Sequence, residues 1–503
     1  MKKIRRFVAL FSVSVFLSVV ASHARIYVDS AATGANDGTS WEDAYVELTS
    51  ALATAVEWEE IWVAQGVYYP ADASGDRTDS FRSDTWYVLV YGGFASGMES
   101  LEERDWDLYP TILDGDIQRD NDPDNNVYHV ITGWLGGTLD GVTIRNGNAS
   151  LEGTYESYGG GVYLRHRPMT AIRNCRFENN LAFKFAGGMY LEGAGVTVSD
   201  CLFTANNSRN EGGALYVAGN GLITDCQFVE NTAHSGGAAM VMGSGNETVF
   251  RNCSFIRNTV TGNGGAIRHE WHGVSGTIED CLFVDNVANG SGGAISMQSG
   301  SSPVYRNSVF VNNSAGTGHG GAIYALAQSN DDSLIEIDGC LFLNNRASSN
   351  RAGAISLSRN FKSVSNSTFV GNQAEQGGAI YMDGNVTDGL LQKLLIVGNK
   401  AQNQAGGIYG SCSYTLEGST LAQNKATSGG ALYGSQNNVQ SYKNSIFWGN
   451  SAENGNVWYL NTGLVAEPSF SAILILTDKC QMLSCVNAEI MPGSSGKEEL
   501  LSA

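Results

Sequence analysis

The chain has 503 residues, with 62 Gly and only 7 Pro, and 50 acidic against 30 basic side chains give a formal charge of −20 at pH 7. That balance sets the average surface against nucleic acid, and against anionic glycans unless a basic patch or a cation bridges them. Length alone would allow several globular domains, but a fixed internal repeat replaces that estimate with one continuous core.

Residues 1–24 read as an export signal. Lys2, Lys3, Arg5 and Arg6 form a basic start, Phe7–Val20 an apolar run, and Ser22-His23-Ala24 a small-x-small cleavage site. Removing those four cations takes the charge from −20 to −24. The apolar run is too short to span a bilayer comfortably, and no later segment is a credible span. Residues 25–135 read as an N-terminal cap and first rungs: a strand at Arg25–Val28, a short capping helix within Trp41–Val56, then rungs at Glu60–Ala64, Gly66–Tyr68, Tyr91–Phe94 and Thr111–Asp116.

Residues 136–450 carry the repeat. Cys253-Ser254-Phe255-Ile256-Arg257-Asn258 leads through a polar turn to Gly264-Gly265-Ala266-Ile267, and this two-part pattern recurs with Phe-to-Phe spacings of 25 to 32 from Phe177 to Phe447. Aliphatic Ile396 and Leu421 take the Phe place in two units. Each unit holds short alternating runs between Gly/Asn/Ser turns and no helical periodicity of useful length, which predicts strands stacking on their counterparts in a parallel β-helix. Eleven coils at about 4.8 Å each make a rod section on the order of 50 Å long. Residues 451–503 form a last rung and a polar tail, Gly493–Ala503.

Cys175, Cys201, Cys226, Cys253, Cys281 and Cys340 share one repeat site, where Ser308 and Ser367 also occur. A stack of small buried thiols fits that pattern better than disulfides. Cys480 and Cys485 lie outside the repeats and are placed to pair with each other. The Asn closing Phe-x-x-Asn suits a corner, where it tolerates the left-handed conformation and bonds to its stacked copies. Gly-Gly marks a bend where side chains would clash.

Cys-x-Phe-x-x-Asn followed by Gly-Gly-Ala-Ile closely resembles the polymorphic outer membrane protein repeat. More broadly the chain is similar to the secreted right-handed parallel β-helix proteins that share their fold with pectate lyases. The likeness covers roughly Gly136–Asn450, and the opening from Ile26 to Tyr68 is also similar to exported bacterial β-helix proteins. It implies an all-β, single-stranded right-handed parallel β-helix solenoid with an N-terminal cap. Autotransporting relatives of the repeat carry a C-terminal membrane β-barrel, for which the 53 residues after Asn450 are too few.

Three sets of residues are candidates for function. Tyr163, Tyr190, Tyr216, Tyr324, Tyr381, Tyr409 and Tyr433 follow Gly-Gly at equivalent places, opposite the inward Leu/Ile, and predict an outward aromatic stripe. Such a stripe either stacks sugar rings or simply suits a solvated strand. Met240, Arg268, Ser296 and Ser356 interrupt it. Arg268, His269 and His272 form the densest titratable cluster in the repeats. In a polysaccharide lyase Arg268 would neutralise a uronate and a His would remove the C5 proton; otherwise the cluster is a polar loop with a packed Trp. Asp114, Asp116, Asp120, Asp122 and Asp124 offer hard oxygen ligands for calcium, in a spacing that matches no EF-hand, or else form a solvated acidic loop.

The expectation is therefore an exported or cell-surface β-helix protein that binds a polysaccharide or another cell-surface ligand as an adhesin would. Two alternatives stand beside it: a lyase or hydrolase of the pectate-lyase-like superfamily, and a purely structural surface rod. No cofactor other than calcium is suggested, no nucleic-acid partner is expected, and oligomeric state is not encoded in any motif.

Overall fold

The computed structural model describes residues 25–476 except 134–135, 166–169, 194, 244, 271–273, 299–300, 327–334, 359–360, 384–388, 435–439, 461–468 and 472–473. The signal at residues 1–24, His272, Cys480, Cys485 and the polar tail lie outside the described residues.

A regular coil lays down four strands in turn, as in Val249–Arg251, Ser254–Ile256, Thr259–Val260 and Ile267–Glu270. Stacked in parallel, they form a first sheet of 16 strands, a second of 15, a third of 12 two- to five-residue strands and a fourth of 14. Pairing is in register, so that Phe228, Phe255 and Phe283 are ladder partners in the second sheet. The chain is a right-handed parallel β-solenoid. Strands at Ser451–Asn454, Trp458–Leu460, Ser469–Ser471 and Leu474–Leu476 carry all four sheets beyond Asn450, where the sequence pattern fades.

The predicted helix is shorter than its Ala-rich run. Helix α1 spans Leu48–Thr54 and buries Leu48, Ala51 and Leu52 in the same core as Ile26, Val28 and Ile61. The residues before it are claimed by the first strand: Asp29 N donates to the Tyr45 carbonyl and Tyr45 N to the Tyr27 carbonyl, both at 2.9 Å.

The repeat becomes three inward ladders. Phe rings from Phe177 to Phe369 stack at centroid distances of 4.5–4.9 Å, within 7° of parallel. The Asn ladder from Asn180 to Asn450 is buried throughout. Asn286 is typical: Nδ2 donates to Asn313 Oδ1 at 3.0 Å and to the Phe255 carbonyl at 2.9 Å, while Oδ1 accepts Asn258 N and Asn258 Nδ2, both at 3.0 Å. The left-handed residue at this corner is not the Asn itself but the one before it, as in Asn179 (φ 55°), Glu230 (φ 55°) and Arg257 (φ 52°). The Asn amide is thereby freed to turn inward and satisfy backbone groups that a bend would leave unpaired.

All seven described cysteines are buried free thiols. Within the ladder, Cys226 Sγ donates to the Thr224 carbonyl at 3.1 Å, and burial pushes the Cys201 and Cys226 thiols well up and Cys340 to about 12. Gly-Gly is required by close approach: a Cβ on Gly213 would sit 2.1 Å from the Gly237 carbonyl oxygen, and the preceding Gly212 has φ +65°.

Candidate functional site

The outer face of the fourth sheet carries the Tyr stripe. Tyr190 and Tyr216 join Ala186 and Met240 in a cluster separate from the main core, with Tyr158, Tyr163 and Phe185 packed against it. The seven tyrosines do not make one continuous platform. Tyr163, Tyr190 and Tyr216 stack at 5.5 and 5.0 Å, and Tyr381, Tyr409 and Tyr433 at 4.5 and 5.2 Å. Stacking turns the ring faces toward each other along the rod, so an approaching sugar meets mostly ring edges. Tyr190, Tyr216, Tyr381 and Tyr433 are only 3–6% exposed, and burial raises the phenol pKa of Tyr163 to about 12.

Between the two stacks the column runs Met240, Arg268, Ser296, Tyr324, Ser356, in ladder register. Tyr324 thus has serine above and below it, and its nearest ring is His319, tilted at 5.6 Å. Polar groups gather beside this break. The Arg268 guanidinium lies 3.2 Å from Glu270 and donates to Ser235 Oγ at 2.7 Å. Burial first, and then the charge of Glu270, raises the Glu211 carboxyl pKa. Arg351 pairs with Asp383 at 3.3 Å and lies over the Tyr381 ring at 4.8 Å, while Ser358 Oγ donates to Asp383 at 2.6 Å. His319 is half-buried with Nδ1 unpartnered, and burial followed by the Arg351 charge lowers its pKa.

Arg268 and His269 do not converge. Strand Ile267–Glu270 alternates, and while Arg268 faces outward, His269 is 1% exposed in the core, in register with Val241 and Met297. Neither ring nitrogen has a hydrogen-bond partner, and burial pulls the pKa down to about 4. A residue so placed cannot reach a substrate held on the outer face, and the structure therefore corrects the expected pairing of these two side chains.

The aspartates of the early loop are occupied by the protein. Asp114 accepts from Arg145 Nε at 2.7 Å and Asn146 Nδ2 at 2.8 Å; Asp116 accepts from Asn121 N at 2.9 Å. Asp120 accepts from Asp122 N at 2.9 Å, and Asp122 from Asp124 N at 3.0 Å, a run of side-chain turns. Among the described residues no group of three or more His, Cys, Asp and Glu is placed to hold a metal ion.

One feature escaped the sequence reading. Trp58 and Trp86 stand 48% and 47% exposed, and Trp58 stacks on Tyr87 at 4.4 Å and 5°. Neither aromatic lies in a repeat, and the only prior signal was their position just ahead of the strands Glu60–Ala64 and Leu89–Phe94.

Residues 124–255 and 161–336 match the right handed beta helix region family, and residues 366–383 match the Chlamydia polymorphic membrane protein repeat. No curated protein gives a match. The matched repeat contains Phe369, Asn372 and Gly377, members of the three motifs seen above, and it points to a surface or outer-membrane protein. The chain is thus a right-handed parallel β-solenoid that matches the right handed beta helix region family over residues 124–336 and the polymorphic membrane protein repeat at residues 366–383.

Proposed function

We propose that this surface-associated solenoid is exported and binds a glycan along the outer face of its fourth sheet, at the break between the two Tyr stacks. The supporting observation is the arrangement around Tyr324: a ring with serine neighbours on both sides, flanked by Arg268, Glu270, His319, Arg351 and Asp383. An aromatic ring amid mixed hydrogen-bonding groups suits a polyhydroxylated ligand, and the formal charge of −20 favours a neutral one. Calcium is not needed for this site, so chelation should leave binding unchanged.

The test is retention of the purified protein on neutral and acidic polysaccharides, with and without calcium. Tyr324→Ala and Arg351→Ala should weaken retention about tenfold, the scale of one lost stacking or charged contact. Retention unchanged in both variants would refute the site.

A hydrolase is the second reading, supported by Glu211, whose carboxyl is pushed up by burial beside Glu270 and Arg268. Two carboxyls in unequal environments are the requirement for glycoside hydrolysis. New reducing ends released by the protein and abolished in Glu211→Gln would establish it; their absence on every polymer would end it. A lyase would instead raise ultraviolet absorbance from unsaturated uronate ends.

A further inference from the structure

We infer that Trp58, Tyr87 and Trp86 form a second, independent carbohydrate site at the N-terminal end of the rod, specific for a neutral sugar ring. It stands apart from the fourth-sheet reading and shares no residue with it.

The argument begins with the backbone. In the first sheet Glu60 pairs with Leu89, and Leu89 with Thr138. Two residues before each of these partners comes a corner, at Trp58, Tyr87 and Gly136. All three take the left-handed conformation, with φ of 67°, 58° and 85°. Gly136 adopts it without cost, whereas a bulky side chain there is a genuine outlier. Two of the largest side chains therefore occupy a corner that the next coil gives to glycine. Folding alone does not call for them, and strain of this kind gathers at functional sites.

The consequence of the strain is a platform. Being one rung apart at equivalent corners, the rings of Trp58 and Tyr87 lie parallel at 4.4 Å, and Trp86 adds a ring 6.0 Å from Tyr87 at 44°. Trp58 and Trp86 remain about half exposed. Both loops are fixed before any ligand arrives. Val56 N donates to Glu59 Oε2 at 2.8 Å, Thr85 Oγ1 to the Ala55 carbonyl at 3.1 Å, and Leu89 N to the Glu59 carbonyl at 3.0 Å. A rigid aromatic surface binds with little ordering cost.

The surroundings select the ligand. Glu57, Arg82 and Asp84 are exposed on the same two loops, and Arg82 is paired with Asp84 at 2.8 Å. Tyr87 covers one face of Trp58, yet Trp58 and Trp86 stay about half exposed, so a pyranose would meet the Trp58 face turned away from Tyr87 and the Trp86 ring with its apolar C–H face, and the bordering hydrogen-bonding groups with its hydroxyl rim. Acidic neighbours and a chain of charge −20 disfavour an anionic sugar and a second copy of this protein alike. Three rings also present far less than the roughly 1,000 Å² that a stable protein interface needs.

The corner geometry supplies an unusually clean test. Trp58→Gly and Tyr87→Gly remove the rings while relieving the left-handed strain, so the melting temperature should hold or rise. Tryptophan fluorescence of the purified protein would be titrated with neutral gluco-, manno- and xylo-oligosaccharides, with oligogalacturonate as the anionic comparison. The expected result is saturable quenching by a neutral oligosaccharide, weakened about tenfold or more in both glycine variants and retained in Tyr324→Ala. The proposal would be overturned by no quenching by any neutral oligosaccharide, by quenching insensitive to both glycine variants, or by a Trp58-dependent dimer in light scattering. Loss of binding in Tyr324→Ala alone would assign the sugar to the fourth-sheet face and would likewise refute this site.

Discussion

Replacing Asn286 by alanine tests the account of what holds the coils together. The side chain makes four buried hydrogen bonds, to Asn313 and the Phe255 carbonyl as donor and from Asn258 N and Nδ2 as acceptor. At about 1 kcal/mol net each, their loss amounts to about 4 kcal/mol, and the Asn258 N–H stranded in the core adds to it. In a solenoid the damage stays near the lesion, because each coil touches only its neighbours. Urea unfolding should therefore show a segment weakened by about 4 kcal/mol, and amide exchange at Asn258 should accelerate far more than at Asn424. Ser254→Ala, at a position facing outward in the neighbouring coil, serves as the control and should cost under about 0.5 kcal/mol. If Asn286→Ala costs less than about 1 kcal/mol and leaves Asn258 exchange unchanged, the ladder is ornament and the reasoning fails.

The remaining predictions concern buried polar groups. Because burial raises the Cys201, Cys226 and Cys340 thiols, a thiol reagent at pH 8 should leave these three unlabelled in the native protein and label them in denaturant; their rapid native labelling would contradict the packing. His269 is held neutral in the fold, its pKa lowered from 6.5 to about 4, so its contribution to stability is intact above about pH 6.5 and is lost as pH falls toward 4. That shift is worth about 3 kcal/mol, and His269→Met should abolish this part of the acid sensitivity, as seen by thermal melting at pH 7 and pH 4. Asp140, 1% exposed, accepts from Arg173 Nε at 2.7 Å and Asn174 Nδ2 at 2.8 Å and pairs with Arg104 at 3.3 Å. Asp140→Ala strands these donors and should cost about 3–5 kcal/mol in urea unfolding.

The inward half of the molecule was legible because it repeats. Phe at one place, Asn three residues later and Gly-Gly after the turn each have a single structural solution, and stacking multiplies the signal. Alternation within Ile267–Glu270 also already separated Arg268 from His269; the lyase expectation arose from their adjacency in sequence, which in a strand means opposite faces. The direction of the Tyr stripe was readable for the same reason. Its ring stacking was not, because it depends on rung spacing matching ring thickness, a three-dimensional coincidence. Trp58 and Tyr87 were opaque because their corner lies 29 residues apart across irregular loops and its φ is invisible in composition.

In a parallel β-helix the same strand serves two masters. Inward columns are fixed by the stack, so every substitution there is felt by two neighbouring coils, and periodicity in those columns carries information about the fold alone. Outward columns are released from that constraint, and a regular outward column costs nothing to keep. Departures from regularity therefore mark where something other than stacking has acted. Two such departures stand out among the described residues. At Arg268–Ser296–Tyr324–Ser356 a Tyr stack is broken and charges take its edge; at Trp58 and Tyr87 a glycine corner is given to aromatic rings. The first weakens packing that its neighbours retain, and the second accepts backbone strain that Gly136 avoids. Stability does not explain either one, and both place an accessible aromatic ring beside hydrogen-bonding groups, which is why ligand binding on the outer surface, rather than chemistry in the core, is where this fold's function is to be sought.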